Sequence, residues 1–156
     1  VNAQGITSNE LAAASVTQAK IGTNVAGTGP VFSAGATVTT SVPTNTDTKI
    51  TIDLESHDTN VNFANSRFTP TIAGYYQIGG QVNTGINAIG LFAIIYKNGA
   101  RLVAGPNGNT GVALNAVAAM LYLNGSTDYV EMYAFHSHGS TLSFGGAMYG
   151  YLVRAA

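Results

Sequence analysis

Val112-Ala113-Leu114-Asn115-Ala116-Val117-Ala118-Ala119-Met120-Leu121-Tyr122-Leu123 is the stretch on which the fold turns. Its alanines suit a helix, but Val112 and Val117 are β-branched, and Gly111 and Gly125 bracket the run. β-branched side chains lose rotamer freedom in a helix and pack well on a pleated surface, and glycine punctuates strands. The run therefore reads as a strand. A strand in a sandwich ordinarily alternates apolar-in with polar-out. Here Leu114, Ala116, Ala118 and Met120 occupy one face, and Val117, Ala119, Leu121 and Leu123 the other. The chain's own core needs one of these faces, so the other is expected to be buried in an oligomer interface.

The same doubling recurs. Near the C-terminus Met148 and Leu152 lie on one face of a strand, with Tyr149, Tyr151 and Val153 on the other, and Leu91 to Tyr96 is apolar throughout. Segments rich in Val, Ile, Tyr, Phe and Thr, bounded by Gly, Asn and Pro, predict strands over 31–40, 49–55, 66–71, 75–82, 89–97, 100–104, 112–123, 128–136 and 142–153. Asn98-Gly99, Asn107-Gly108 and Asn124-Gly125 supply the positive φ angles of tight turns. Many short strands separated by turns indicate an all-β sandwich or jelly roll over residues 30–156.

Composition narrows the function classes. Hydrophobic residues make up 46% of the 156, but charged residues only 8%, against about 25% in ordinary domains. Thr, Asn, Ser and Gly stand in their place. The net charge is −1, and Lys20, Lys49, Arg67, Lys97, Arg101 and Arg154 are scattered, so no basic stripe exists for nucleic acid. No apolar run reaches the ~18 residues of a spanning helix, and membrane insertion is not expected. Without cysteine there is neither a disulfide framework nor a thiolate nucleophile.

Residues 1–29 differ from the rest. Ile6, Leu11, Val16 and Ile21 recur every five residues, neither a helix nor a strand period. Thr7 and Glu10 have capping-box spacing. Such units bury their apolar residue by stacking on copies from other chains, which makes the segment a short shaft; the alternative is a linker. Val25-Ala26-Gly27-Thr28-Gly29-Pro30 is the joint, and Val1 reads as the cut end of a longer protein.

Four segments carry a resemblance. Arg67-Phe68-Thr69-Pro70-Thr71-Ile72-Ala73-Gly74-Tyr75-Tyr76, Tyr96-Lys97-Asn98-Gly99, Tyr149-Gly150-Tyr151-Leu152 and Phe32-Ser33-Ala34 are similar, in order and spacing, to the globular head of complement component one-q. That head belongs to the tumour necrosis factor-like jelly rolls. The proline stands one place earlier here. The resemblance implies a ten-strand jelly roll forming a homotrimer, with 112–123 and 142–153 in its inner sheet. On that basis Val117, Ala119, Leu121, Tyr149 and Tyr151 are the expected trimer interface. No collagen-like repeat precedes Pro30. The two ten-residue units opened by Ile6-Thr7 and Val16-Thr17, Ile-Thr repeats in form, look instead like those of bacteriophage tail fibres, which points to a virion-surface head on a fibre, spike or tail needle.

Chemistry finds few candidates. The Gly-x-Ser-x-Gly, Gly-Lys-Ser/Thr and His-Glu-x-x-His patterns are absent. Gly105 to Gly111 is glycine-rich but holds no lysine for phosphate. Asp53 and Glu55 share one strand face, as a solvated pair or a carboxylate dyad. Asn124-Gly125-Ser126 fits a glycosylation acceptor but is better explained as a turn. No enzyme activity and no cofactor are expected. His136-Ser137-His138 puts two imidazoles on one side of an extended segment and is the candidate metal pair, with polar ligand contact as the alternative.

Strand alternation sets the two ends of the head. The chain enters at residue 30 and ends at 156 on one end, so the 83–88, 105–111 and 137–141 segments fall at the other. They present Asn83, Asn87, Asn107, Asn109, His136 and His138, groups that both donate and accept hydrogen bonds. These are the expected contacts to a host cell-surface glycan or protein. The alternative is a trimerisation cap or needle tip, plugging a portal or leading envelope penetration without a specific receptor.

Overall fold

The computed structural model describes residues 29–108 and 111–156. Within them the backbone is extended in twelve strands: β1 (Val31–Gly35), β2 (Thr40–Val42), β3 (Thr48–Lys49), β4 (Leu54–Asp58), β5 (Phe63–Ala64), β6 (Arg67–Phe68), β7 (Ala73–Ala88), β8 (Phe92–Lys97), β9 (Ala100–Ala104), β10 (Val112–Asn124), β11 (Val130–Phe135) and β12 (Leu142–Ala155). One six-stranded sheet runs β10-β7-β12-β1-β4, with β2 alongside β12. The other runs β5-β6-β11-β8-β9, with β3 alongside β11. All pairings are antiparallel. The two sheets face each other as a jelly-roll sandwich. The repeat residues Ile6, Leu11, Val16 and Ile21, and the shaft they were read as, lie outside the described residues.

The alanine-rich run is a strand. β10 pairs with β7 from Val112↔Ala88 to Asn124↔Ala73, and Gly111 (φ 63°) and Gly125 (φ 71°) turn the chain at its two ends. Inner faces of both sheets supply the core. Phe32 stacks on Phe68 at 4.2 Å and on Phe63 at 5.3 Å, and Tyr76 meets Phe68 edge-on at 5.7 Å. Ile78, Val82, Leu123, Ile95, Val130, Met132 and Met148 complete the layer. Each such side chain stabilises the fold by about 1.5–3 kcal/mol on burial. Gly150 is required there: a Cβ would stand 2.8 Å from the Phe32 ring, so any side chain would unseat the aromatic stack.

Twelve strands appear where ten were expected because the edges break into short pieces. The expected strand 49–55 splits: β3 pairs with β11 in one sheet, β4 pairs with β1 in the other, and the chain crosses between them on buried Ile50 and Ile52. The run 31–40 breaks at residues 36–39, where the Asp53 carboxylate accepts the Thr37 N–H (2.7 Å) and hydroxyl. The segment 66–71 shortens to β6, paired in a hairpin with β5. In the opposite direction, β7 runs through to Ala88, so 83–88 is strand and not loop.

The turns define two ends. Pro30 accepts the Leu152 N–H at 2.9 Å and Ala73 accepts the Ala156 N–H at 3.0 Å, so both chain boundaries of the head lie at one end. The Asn98-Gly99 turn (φ 52° and 79°) and residues 124–128 share that base. Asn124 Oδ1 accepts the N–H groups of Ser126, Thr127 and Asp128, which makes this asparagine a turn residue. Segments 36–39, 89–91, 105–108 and 136–141 gather at the far end, where Ile89 accepts the Ser137 N–H at 2.9 Å.

Candidate functional site

The outer face of the β10-β7-β12 sheet is the most unusual surface of the molecule. Strand alternation turns Leu114, Ala116, Ala118, Met120 and Tyr122 of β10 outward, all exposed. Register sets them beside Asn83, Gln81, Gly79, Gln77 and Tyr75 of β7. On the far side of β7, Tyr149 faces Gly79 and Tyr151 faces Gln77. Met120 is 61% exposed, and Tyr75, Tyr149 and Tyr151 are each about half exposed. Tyr75 and Tyr122 meet edge to face at 5.6 Å. Strands β1, β7, β10 and β12 carry a single charged residue between them, Arg154.

This corrects the face assignment on β10. Val117 pairs with Gly80 and Leu121 with Tyr76, the same side as core residues Ile78 and Val82. Val117, Leu121 and the half-buried Ala119 therefore pack into the chain's own core and are not free for an interface. The surplus face is the opposite one. Tyr149 and Tyr151, expected on the surplus face, are exposed on it. Polar Asn115, which shares the face of Val117, is held in the core: its Oδ1 accepts the Ala93 N–H (3.0 Å), and its Nδ2 donates to the carbonyls of Leu91 (3.1 Å) and Pro106 (2.8 Å).

Charge collects on the other sheet. Glu131, 3% exposed at its side chain, accepts from Lys49 Nζ at 2.8 Å and from Arg67 Nη2 at 2.9 Å. Arg67 also lies 3.7 Å over the Tyr129 ring. Tyr96 stacks on Tyr133 at 3.8 Å and donates its hydroxyl to Asp47, which Arg101 also approaches. Burial, then the Asp47 carboxylate, pushes the Tyr96 hydroxyl up to about 12. A buried charge paired this closely on both sides is consistent with a rigid structural network.

The far-end residues separate. Asn83 and Asn87 are exposed on strand β7, Asn107 is exposed in the segment after β9, and Asn109 lies outside the described residues. His136 is fully buried: its Nε2–H donates to the Val42 carbonyl at 2.9 Å, and its ring stacks on Phe144 at 5.5 Å. A sealed side chain touches no receptor, so His136 is withdrawn as a contact residue. His138 is half-buried. Among the described residues no cluster of three or more potential ligands is placed to hold a metal ion, and His136 itself is sealed from solvent.

Two clefts remain. One of about 440 Å³ lies beside Asp53 and Glu55, with Thr51, Asn65 and Ser66. Asp53 there is committed to Thr37, whose hydrogen bonds hold its carboxyl below the usual range. The other, of about 250 Å³, lies at the far end between residues 36–39, β7 and the start of β12, and Asn83 lines it. The sequence had marked Asn83 without its neighbours; that Thr37, Thr39 and Ser143 join it depends on the 36–39 break, which no local pattern announces.

No family model matches the chain, and no curated protein sequence matches it. Among solved structures the chain is similar to PRD1 vertex protein P5, at 14% identity and a TM-score of 0.63, over 80% of this chain and 97% of that one. It is similar to the globular domain of zebrafish complement 1qA protein, at 19% identity and 0.58, over 81% and 99%. Murine APRIL follows at 12% and 0.56, over 76% and 97%. At these identities the likeness is one of fold, the tumour necrosis factor-like jelly roll.

Proposed function

We propose that this chain is the homotrimeric, non-enzymatic head of a bacteriophage virion appendage, and that its far end attaches the particle to the host-cell surface. The observation that carries the reading is the outer face of the β10-β7-β12 sheet, which has Arg154 as its one charge and Met120, Tyr75, Tyr149 and Tyr151 exposed on it. An apolar patch of this kind on an isolated domain marks an interaction surface. In jelly-roll heads of this type, as the resemblance implies, that sheet lies against the three-fold axis. The virion setting draws on the Ile-Thr repeats and on the likeness to a protein named for a vertex. Residues 1–29 would then be the shaft, with Ile6, Leu11, Val16 and Ile21 of three chains stacked together. Three copies of a weak far-end contact give avidity without a tight single site.

Light scattering on a sizing column tests the assembly: a mass three times that of one chain is expected, and a stable monomer refutes it. Fluorescently labelled head then tests attachment. Saturable binding to host cells, absent from cells resistant to the phage, is expected; a trimer that binds no cell is a structural cap.

A further inference from the structure

Three Asn-Gly pairs lie among the described residues, and the fold holds them differently. Glycine bears no Cβ, so its backbone nitrogen can reach the Cγ of a preceding asparagine without steric hindrance. Two of the pairs are locked. Asn98 Oδ1 accepts the Tyr129 N–H at 2.9 Å, and its Nδ2 donates to Asp128 at 2.7 Å. Asn124 Oδ1 accepts the N–H groups of Ser126, Thr127 and Asp128, its Nδ2 donates to Thr127 Oγ1 at 2.8 Å, and Gly125 backs onto the main chain of Ala73. Asn107 is exposed, and among the described residues no hydrogen bond engages its carboxamide. The polar contacts of that segment run through its backbone instead. Pro106 accepts from Asn115 Nδ2 at 2.8 Å, and the Gly108 N–H donates to Leu91 at 3.1 Å. That last bond belongs to an isolated bridge beyond the end of β9, not to a strand ladder. Contacts of this kind open locally at far less cost than unfolding.

We infer that Asn107 is a site of spontaneous deamidation, at which ageing adds negative charge to the far end. The Gly108 nitrogen attacks Asn107 Cγ. The new C–N bond closes a cyclic imide, the Cγ–Nδ2 bond breaks, and ammonia leaves with the proton of the Gly108 N–H. Water then opens the imide at either carbonyl. The products are an aspartate and an isoaspartate, each with one carboxylate and one released proton. Nothing is oxidised or reduced, and water is the one co-reactant. The change matters because of where it falls. Segments 36–39, 89–91, 105–108 and 136–141 of the far end contain no Asp, Glu, Lys or Arg. A carboxylate at 107 is therefore a new charge with no cation in those segments to neutralise it. An isoaspartate also lengthens the main chain next to the Gly108–Leu91 bridge. Asn107 lies on none of β7, β10 and β12, and so is no part of the sheet face that the trimer reading covers.

The test is peptide mapping of the assembled chain, held in mildly alkaline buffer and digested at intervals. The Asn107 peptide should gain about one dalton, with isoaspartate, at least roughly tenfold faster than the Asn98 and Asn124 peptides, since each of those must first give up two or more carboxamide hydrogen bonds. In the guanidinium-unfolded chain the three should convert at similar rates, which assigns the difference to the fold. Ion exchange should resolve the aged protein into species of increasing negative charge, and Asn107→Gln should remove most of that ladder. Asn98 or Asn124 converting first in the folded protein overturns the inference. So does an Asn107 peptide that stays intact in the folded protein while it converts in guanidinium, because the Gly108–Leu91 bridge then protects it. The same lead for Asn107 in guanidinium makes it a property of sequence and overturns the structural assignment. A ladder that persists in Asn107→Gln overturns it as well.

Discussion

The Tyr149 ring of β12 lies across Gly79 of β7, so closely that a Cβ on Gly79 would stand 2.6 Å from both its Cζ and its hydroxyl oxygen. The glycine lets an aromatic ring lie flat on an outward sheet face, which keeps that face level for a partner. Gly79→Ala should tilt the ring outward. Tyr149 is already half exposed, so the isolated fold survives. Trimer dissociation should move to roughly tenfold higher concentration, read by light scattering across a dilution series, with the circular dichroism spectrum unchanged. Unaltered association would mean that the ring is not at an interface.

Met120, 61% exposed, is the most exposed large hydrophobic side chain of that face. Met120→Glu puts an unpaired carboxylate where no cation stands within β7 or β10 to meet it. Association should weaken by roughly a hundredfold or more, leaving a folded monomer. Leu102→Glu is the control: that residue is similarly exposed at 48%, but lies on β9 of the other sheet. Its mass should not change. Equal effects of the two substitutions would refute the assignment of the face.

Periodicity and turn residues made the sandwich legible, because a run apolar on both faces announces a sheet with more to bury than one core. Which face was surplus was not legible. Leu114 to Met120 and Val117 to Leu123 are equally apolar, and only the register Leu121↔Tyr76 decides between them. Asn115 is a polar residue on the core face all the same, and its three hydrogen bonds to Ala93, Leu91 and Pro106 are non-local. His136 failed for a like reason: its partners Val42 and Phe144 come from β2 and β12, and nothing near it in sequence says that it is sealed. The far-end cleft needed the break at 36–39, which Asp53 makes from a different strand connection.

Asn115 supports a prediction of its own. It is 5% exposed, and its carboxamide joins β10 to the start of β8 and to the segment after β9. Asn115→Ala leaves the Ala93 N–H and two carbonyls without this partner in the core. The loss should be about 2–4 kcal/mol in urea unfolding, and Asn115→Asp should recover little because it cannot donate to Leu91 or Pro106. A change below about 0.5 kcal/mol would show that water replaces the side chain.

Alkali should find the Tyr96–Asp47 contact. Burial first, then the Asp47 hydrogen bond and charge, raises the Tyr96 hydroxyl to about 12, and burial alone does the same for Tyr76. In the unfolded chain both titrate near the ordinary value of 10.0. Between the two values the unfolded state releases protons that the folded state keeps, so stability is complete below pH ~10 and falls as pH rises toward ~12. Tyr96→Phe removes one of these protons. It should lower stability at neutral pH by about 1 kcal/mol and flatten the alkaline decline measured by thermal melts. A decline of unchanged slope would assign the alkaline limb to Tyr76 and other groups.

Asp128 should govern part of the acid limb. Asn98 Nδ2 donates to it at 2.7 Å and Lys97 Nζ lies at 2.9 Å; these contacts, the asparagine first, hold its carboxyl below the ordinary value of 3.8. The Asn124 N–H is a further donor at 3.1 Å, so one carboxylate ties the β8–β9 turn to the β10–β11 turn at the base. A depressed value means that this stability is present above pH ~4 and is lost as pH falls through the folded-state value. Asn98→Ala removes the leading cause and also the side chain that tolerates φ 52° at that turn, so about 1–2 kcal/mol should go at pH 7. Asn98→Gly separates the two effects, because it keeps the backbone conformation and still loses the hydrogen bond. If Asn98→Gly shifts the Asp128 carboxyl upward in a carbon-13 titration while Asn98→Ala alone loses most of the stability, the strained backbone and not the carboxylate is what holds the base turn.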